Sequence, residues 1–235
     1  MEGIRMTLIT LVIPCYNEAA SLPMLITRCQ TIASPDCHIL LVDNGSTDDT
    51  PTILPSLLKN TPFFSSIRVP INQGYGHGIM TGLQQATTPW LAYTHADLQT
   101  DPTDVFTAMT LIRQRSTPAF IKGVRSGRPL MDRFFTIGMS IFETLLMQTP
   151  LWDINGQPTV FPRSFFESLP HLPNDFAFDL ALYHAAKRKG LPILRFPTVM
   201  APRIHGQSNW NNGLKGRYKF IKRTILFSIA LRRQS

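Results

Sequence analysis

Short apolar, β-branched runs alternate with segments of helical spacing along the first half of this 235-residue chain. The runs are Leu8 to Ile13, His38 to Val42, Ile67 to Val69 and Trp90 to Tyr93. Between the first two, Leu22, Leu25, Ile26, Cys29 and Ile32 recur three and four apart, which predicts a helix with one buried face. Thr50-Pro51 opens a second helix to about Lys59, and Gly76 to Ala86 forms a third. Asp101, an N-cap with Pro102 at the first helical position, starts a fourth that runs to about Arg115. Strands that alternate with helices predict an α/β fold with a mainly parallel sheet flanked by helices.

In such sheets, ligands sit beyond the carboxyl ends of the strands. Those ends carry Pro14-Cys-Tyr-Asn-Glu18, Asp43-Asn-Gly-Ser46, Asn72-Gln-Gly-Tyr-Gly76 and His95-Ala-Asp-Leu-Gln99. Polar side chains therefore converge on one rim. Asp97 and Gln99 form an oxygen-rich corner of the kind that suits Mg²⁺ or Mn²⁺. His95 is either a nitrogen ligand, which favours Mn²⁺, or a hydrogen-bonding neighbour. Asp43 either accepts hydrogen bonds from a nucleobase or ribose, or closes an Asx turn. Asn17 and Glu18 face a similar choice between a ligand and the next helix. Asn72 to Gly78 is a Gly-rich turn whose N–H groups could meet a phosphate, but it matches neither the P-loop nor the dinucleotide pattern.

The second half is less regular. Strands are expected at Phe120 to Val124, Thr159 to Phe161 and Ile193 to Phe196. Helices are expected at Asp132 to Met147 and Phe176 to Lys189. Arg125, Arg128 and Arg133 follow the first of these strands, and an arginine fork grips phosphate well. Asp179 lies in a helix among apolar residues, where a carboxylate is a cap, a cation's partner or a general base. Arg203 and His205 precede Gly206-Gln-Ser-Asn-Trp210, a segment that could close over a ligand.

Net charge is +8, with eight Lys/Arg and no Asp/Glu from Ala201 to Ser235. An acidic partner is expected: nucleotide phosphate, anionic lipid or, less readily in the absence of a binding motif, nucleic acid. Lys215 to Arg233 alternates basic and apolar residues. It is either an interfacial helix on an anionic membrane or a helix packed on the domain. Cys15, Cys29 and Cys37 suit neither a disulfide framework nor a zinc site and are expected as reduced thiols. The N-terminus does not have the make-up of a signal peptide. No apolar run reaches the ~20 residues that span a bilayer.

Taken together, Val12-Ile-Pro-Cys-Tyr-Asn-Glu18, Leu41-Val-Asp-Asn-Gly-Ser-Thr-Asp48, Asn72 to Gly76 and Ala96-Asp-Leu-Gln-Thr-Asp-Pro102 resemble the family 2 glycosyltransferases of the GT-A fold. Lys122-Gly-Val-Arg125, Asp153-Ile-Asn-Gly156 and Arg203-Ile-His-Gly-Gln-Ser208 extend the likeness to about residues 7 to 210. It leans towards the dolichyl-phosphate mannose synthase and polyprenyl-phosphate glycosyltransferase branch.

The resemblance implies one GT-A domain over 1–210, with a nucleotide-sugar-binding half to about 115 and a smaller mixed acceptor half beyond. A basic amphipathic segment, 211–235, follows. It implies nucleotide-sugar contacts from Pro14, Tyr16, Asn17, Glu18, Asp43, Gly45, Asn72, Gly76 and Asp97. Metal ligation falls to Asp97 and Gln99, with His95 a further candidate where the family's Asp-x-Asp has its first Asp. Phosphate or acceptor contacts fall to Arg125, Arg128, Arg133, Arg203 and Ser208. Asp97, Arg125 and Asp179 are the expected catalytic residues. The implied reaction is inverting transfer from a nucleoside-diphosphate sugar to a polyprenyl phosphate, by a peripheral protein at the cytoplasmic face of the membrane. The alternatives are a saccharide hydroxyl acceptor in surface polysaccharide synthesis, a nucleotidyltransferase, and a non-catalytic nucleotide-sugar or lipid-binding module.

Overall fold

A computed structural model describes residues 8–170, 172–202 and 213–234; within 213–234, side chains are described at 222 and 224–233. Seven strands form one sheet: β1 (Ile9–Cys15), β2 (Cys37–Asn44), β3 (Phe64–Val69), β4 (Trp90–Tyr93), β5 (Phe120–Ser126), β6 (Thr159–Pro162) and β7 (Ile193–Val199). Their order is β3-β2-β1-β4-β6-β5-β7. The first four are parallel, β6 runs antiparallel to both neighbours, and β5 and β7 are parallel. The expected strands are all present. Those of β3 and β7 are longer than the apolar runs suggested, because Phe64 to Ser66 and Pro197 to Val199 also pair at sheet positions.

Helices cover both faces of the sheet. On one side α1 (Leu22–Gln30), α2 (Thr50–Leu58) and α4 (Val105–Arg113) pack on Ile9, Leu11, Ile13, Ile39 and Leu41. On the other, α3 (Tyr75–Gln85), α6 (Arg163–Glu167) and α7 (Phe178–Arg188) pack on Val12, Leu40, Val42, Tyr93 and Phe161. Alternate residues of β1 and β2 thus enter opposite cores, as a strand's period of two demands. Fully burying each such aliphatic or aromatic side chain contributes roughly 1.5–3 kcal/mol. The three cysteines are buried and free, and burial first of all drives the Cys29 thiol far above its ordinary range.

α5 (Leu130–Met147) starts two residues earlier than expected, and α8 (Gly213–Gln234) runs beside it. Ser228 donates to Glu143 Oε1 at 2.5 Å, and Arg232 donates to Gln148 Oε1 at 3.0 Å. The described part of the tail is therefore a helix packed on the domain. The inward face of α5 carries Ser140, Glu143 and Met147, not the phenylalanines that its pattern suggested. Burial first raises the Glu143 carboxyl to about 7, although Ser228 opposes this. No described helix is long and apolar enough to cross a membrane.

Candidate active site

The polar strand ends do meet on one rim. β6 is antiparallel, so its entry rather than its exit faces that rim and brings Asp153 to Gln157 there as well. In register, Tyr93 of β4 and Lys122 of β5 both flank Thr159 of β6. The corner at His95 to Gln99 consequently stands beside the Asp153–Gln157 turn.

The first two strand ends are laced together. Asn17, at φ +56°, accepts from the Thr47 N–H through Oδ1 at 2.8 Å, and its own N–H donates to Ser46 Oγ at 3.0 Å. The Glu18 N–H donates to Thr50 Oγ1 at 3.0 Å. Asn17 thus holds the loop between the first two strand ends. Pro14 is half-buried at the end of β1, and Tyr16 is exposed. Asp43 closes the Asx turn that its sequence allowed and keeps one oxygen over. Its Oδ1 closes an Asx turn by accepting from the Ser46 N–H at 2.9 Å. Its Oδ2 is buried with no hydrogen bond, although Arg68 Nε lies 3.4 Å away as an ion-pair partner. A buried carboxylate oxygen without a hydrogen bond, at the end of β2, suits an incoming N–H or O–H donor.

The glycines of this rim serve packing. Gly45, at φ +73°, lets the β2 turn press on Ile71 and Asn72; a Cβ there would come within 2.3 Å of the Asn72 nitrogen. Asn72 Oδ1 accepts from the Gly74 N–H at 2.8 Å. A Cβ on Gly76 would lie 2.4 Å from the Pro173 carbonyl oxygen, and the His77 N–H donates to the Asn174 carbonyl at 2.9 Å. The Gly-rich turn therefore takes up the loop before α7. In the structure Gly45 and Gly76 allow close approach of neighbouring backbone, and Asn72 holds the turn.

At the corner, Asp97 is 8% exposed and its Oδ1 accepts from the Gln99 N–H at 3.1 Å. Leu98, at φ +57°, turns the chain between them. Asp101 is turned away, capping Thr103 and approaching Arg28. Among the described residues no group of three or more His, Cys, Asp and Glu is placed to hold a metal. A single carboxylate on an open rim fits Mg²⁺ or Mn²⁺ whose remaining ligands come from a diphosphate and water; it is not a preformed protein cage. The His95 ring packs on Tyr75 at 5.6 Å, and Tyr75 stacks on Phe176 at 5.2 Å and 8°.

Arg125 is held more firmly than its sequence suggested. Its Nε donates to Asp153 Oδ1 at 2.7 Å, Nη2 pairs with the same oxygen, and its backbone N–H donates to Oδ2 at 2.8 Å. Burial acts to raise the Asp153 pKa, but the Arg125 charge and hydrogen bonds outweigh it and hold the carboxyl below its usual range. Arg125 is thus a half of a buried pair, and its partner Asp153, quoted from the sequence only as part of a family motif, was not among the expected site residues. Arg128 is half-buried and donates to Thr136 Oγ1 at 2.6 Å; Arg133 is exposed on α5. Arg203 and Ser208 lie outside the described residues.

Beneath the rim lies a buried polar floor. Tyr93 donates to Asp179 Oδ1 at 2.5 Å, Gln157 Nε2 donates to the Tyr75 hydroxyl at 2.7 Å, and Lys122 Nζ donates to Thr159 Oγ1 at 2.9 Å. Asp179 stands in the first turn of α7, not mid-helix, and is 3% exposed. Burial and then the Asp179 charge push the Tyr75 and Tyr93 hydroxyls well up. Burial pulls Lys122 down to about 7, against the opposing pull of Asp179. An open depression of about 560 Å³, lined by Thr10, His38 and Ser65 among others, lies at the opposite end of the strands, away from these groups.

A model described as glycosyl transferase family 2 matches residues 10–166. The chain belongs to that family. As a family 2 member it is 36% identical over 214 residues to the undecaprenyl-phosphate 4-deoxy-4-formamido-L-arabinose transferase of Enterobacter sp. (strain 638), covering 86% of this chain and 62% of the relative. An uncharacterized glycosyltransferase of Mycobacterium tuberculosis is 27% identical over 215 residues, covering 88% and 92%. The chain spans between 31% and 63% of the length of the undecaprenyl-phosphate relatives it matches. Glucosyl-3-phosphoglycerate synthase of M. tuberculosis, solved with UDP, superposes with a TM-score of 0.73 at 17% identity, over 96% of this chain and 80% of that one. The mannosyltransferase PcManGT of Pyrobaculum calidifontis, solved with GDP-Man and Mn²⁺, gives 0.64 at 20%, over 96% and 70%. The family 2 chain shares the GT-A fold with both.

Proposed function

We propose that this chain transfers a sugar from a nucleoside-diphosphate sugar to a polyprenyl phosphate, with inversion at the anomeric carbon. The observation that carries the reading is the placement of Asp43 and Asp97 on one rim, at the ends of β2 and β4 with β1 between them. Two strand spacings are about 10 Å, a distance that a nucleoside and its diphosphate bridge. The names of the undecaprenyl-phosphate relatives support the acceptor.

Asp43 Oδ2 receives a donor group of the nucleoside, and Pro14, Tyr16 and Glu18 flank it. Asp97 and Gln99, with His95 as a further ligand, would hold Mg²⁺ or Mn²⁺, which supplies charge neutralisation at the diphosphate. An acceptor phosphate oxygen attacks the sugar C1, and the C1–O bond to the diphosphate breaks as the diphosphate leaves with the electron pair. Arg128 and Arg133 meet phosphate, and Arg125, clasped by Asp153, adds positive potential behind them. An acceptor phosphate is already an anion and needs no base. Asp179, enclosed below Tyr75 and bonded to Tyr93, suits this better than the abstraction of a proton from a saccharide hydroxyl. The acceptor being a lipid, the chain acts peripherally at the cytoplasmic face of a membrane.

A panel of UDP-, GDP- and dTDP-sugars, incubated with a short-chain polyprenyl phosphate and Mg²⁺ or Mn²⁺, tests the reading. Release of nucleoside phosphate together with a glycosylated lipid phosphate is the expected result. Tight donor binding without release from any donor points instead to a binding module, and transfer only to saccharide hydroxyls points to the other acceptor class.

A further inference from the structure

A solvent-facing apolar surface runs along α5, on the side opposite its packed face. Leu130, Phe134, Ile137, Ile141 and Leu145 recur four, three, four and four apart, so they share one stripe. Their exposure ranges from 36% at Ile137 to 74% at Leu145, and Met131 beside them is 70% exposed. At 1.5 Å per residue the stripe is about 22 Å long. The inward face is closed by Ser140, Glu143 and Met147 against the domain and α8. A helix already packed on one side, with a continuous apolar stripe on the other, needs a partner for that stripe. Contiguous exposed apolar surface of this kind marks an interaction site rather than ordinary scatter.

We propose that this face of α5 seats the protein on an anionic lipid bilayer, with the helix lying flat in the interface. The surroundings fit that occupant. Arg133 is exposed on the flank of the stripe, and Lys222 and Arg233 are exposed on α8, the helix packed against α5. The chain carries a net charge of +8, and attraction to anionic lipid adds to apolar insertion. The placement also suits the chemistry: α5 begins two residues after Arg128, at the edge of the rim where a lipid phosphate would arrive. The contact is assigned to α5 rather than to the tail, whose described inner residues, such as Ser228, pack on the domain. This inference rests on the proposed lipid-phosphate acceptor only for its purpose, not for its geometry.

The test is co-sedimentation of the full chain with vesicles of phosphatidylglycerol and phosphatidylcholine. Wild type is expected to bind, and F134E/I141E to bind at least about tenfold more weakly, with an unchanged circular dichroism spectrum. The milder pair L130Q/L145Q should weaken binding in the same direction should the first variant misfold. Transfer to a short, water-soluble polyprenyl phosphate should be equal in wild type and variants, whereas transfer to a long-chain acceptor embedded in vesicles should fall with binding. Failure of wild type to sediment, or equal sedimentation of folded variants, overturns the proposal even where short-chain transfer succeeds. So does a lipid-free dimer that F134E/I141E dissociates, because the stripe is then an interface between two copies. Loss of short-chain transfer in wild type, with vesicle binding intact, strikes at the proposed reaction and leaves the docking face standing.

Discussion

Asp153 grips Arg125 from two sides: one carboxylate oxygen takes the guanidinium, and the other takes the backbone N–H of the same residue at 2.8 Å. The arginine is therefore fixed in position at the end of β5, with side-chain exposures of 13% for Arg125 and 5% for Asp153. Removing one member of such a pair leaves the other charge buried and uncompensated. Asp153→Ala is expected to lower unfolding stability by about 3–5 kcal/mol, measured by urea denaturation at pH 7. The Asp153 pKa is held below its usual range, so its stabilisation is present above about pH 4 and is lost as acid protonates it. A variant as stable as wild type would mean that the pair is dispensable.

Lys122 makes a prediction of the same sign in a higher window of pH. It is fully buried and titrates at about 7 in the fold, against 10.5 unfolded. Between those values the unfolded chain holds a proton that the folded chain lacks. Stability should therefore rise with pH from about 7 to 10, by up to about 1.4 kcal/mol per unit. Lys122→Met removes that rise. Thermal or urea unfolding of both proteins between pH 6 and 10 checks it, and parallel curves would refute it.

Gly76 separates packing from ligand binding. Its missing Cβ makes room for the Pro173 and Asp175 carbonyls. Gly76→Ala is expected to cost about 1–3 kcal/mol of stability in the absence of any nucleotide. An unchanged melting temperature, with weakened binding of a nucleoside diphosphate, would restore the phosphate role that the sequence suggested.

The rim was legible because each apolar run stops at a polar turn, so Asp43 and Asp97 announce the carboxyl ends of β2 and β4. Parallel-strand logic assigns ligands only to such ends. It could not reach Asp153 and Gln157, which precede an antiparallel strand whose direction depends on its neighbours in the sheet. The glycines were ambiguous for a related reason. A Gly permits close approach, but only the fold says whether protein or phosphate approaches, and at Gly76 it is the Asn174 loop. Asp179 among apolar residues read as a cap, a cation's partner or a base; its tyrosine partner, Tyr93, is 86 positions away in sequence. The helical period in α5 showed apolar residues without showing which side the domain would cover, and Phe134 and Leu145 face solvent.

The central claim is that Asp97 anchors the diphosphate of a sugar donor during transfer to a lipid phosphate. The most direct measurement is formation of glycosylated polyprenyl phosphate by wild type and Asp97→Asn, using a donor that wild type accepts. The account predicts product from wild type and a rate at least about 100-fold lower in the variant, with the same unfolding midpoint. Wild-type turnover by Asp97→Asn would contradict it.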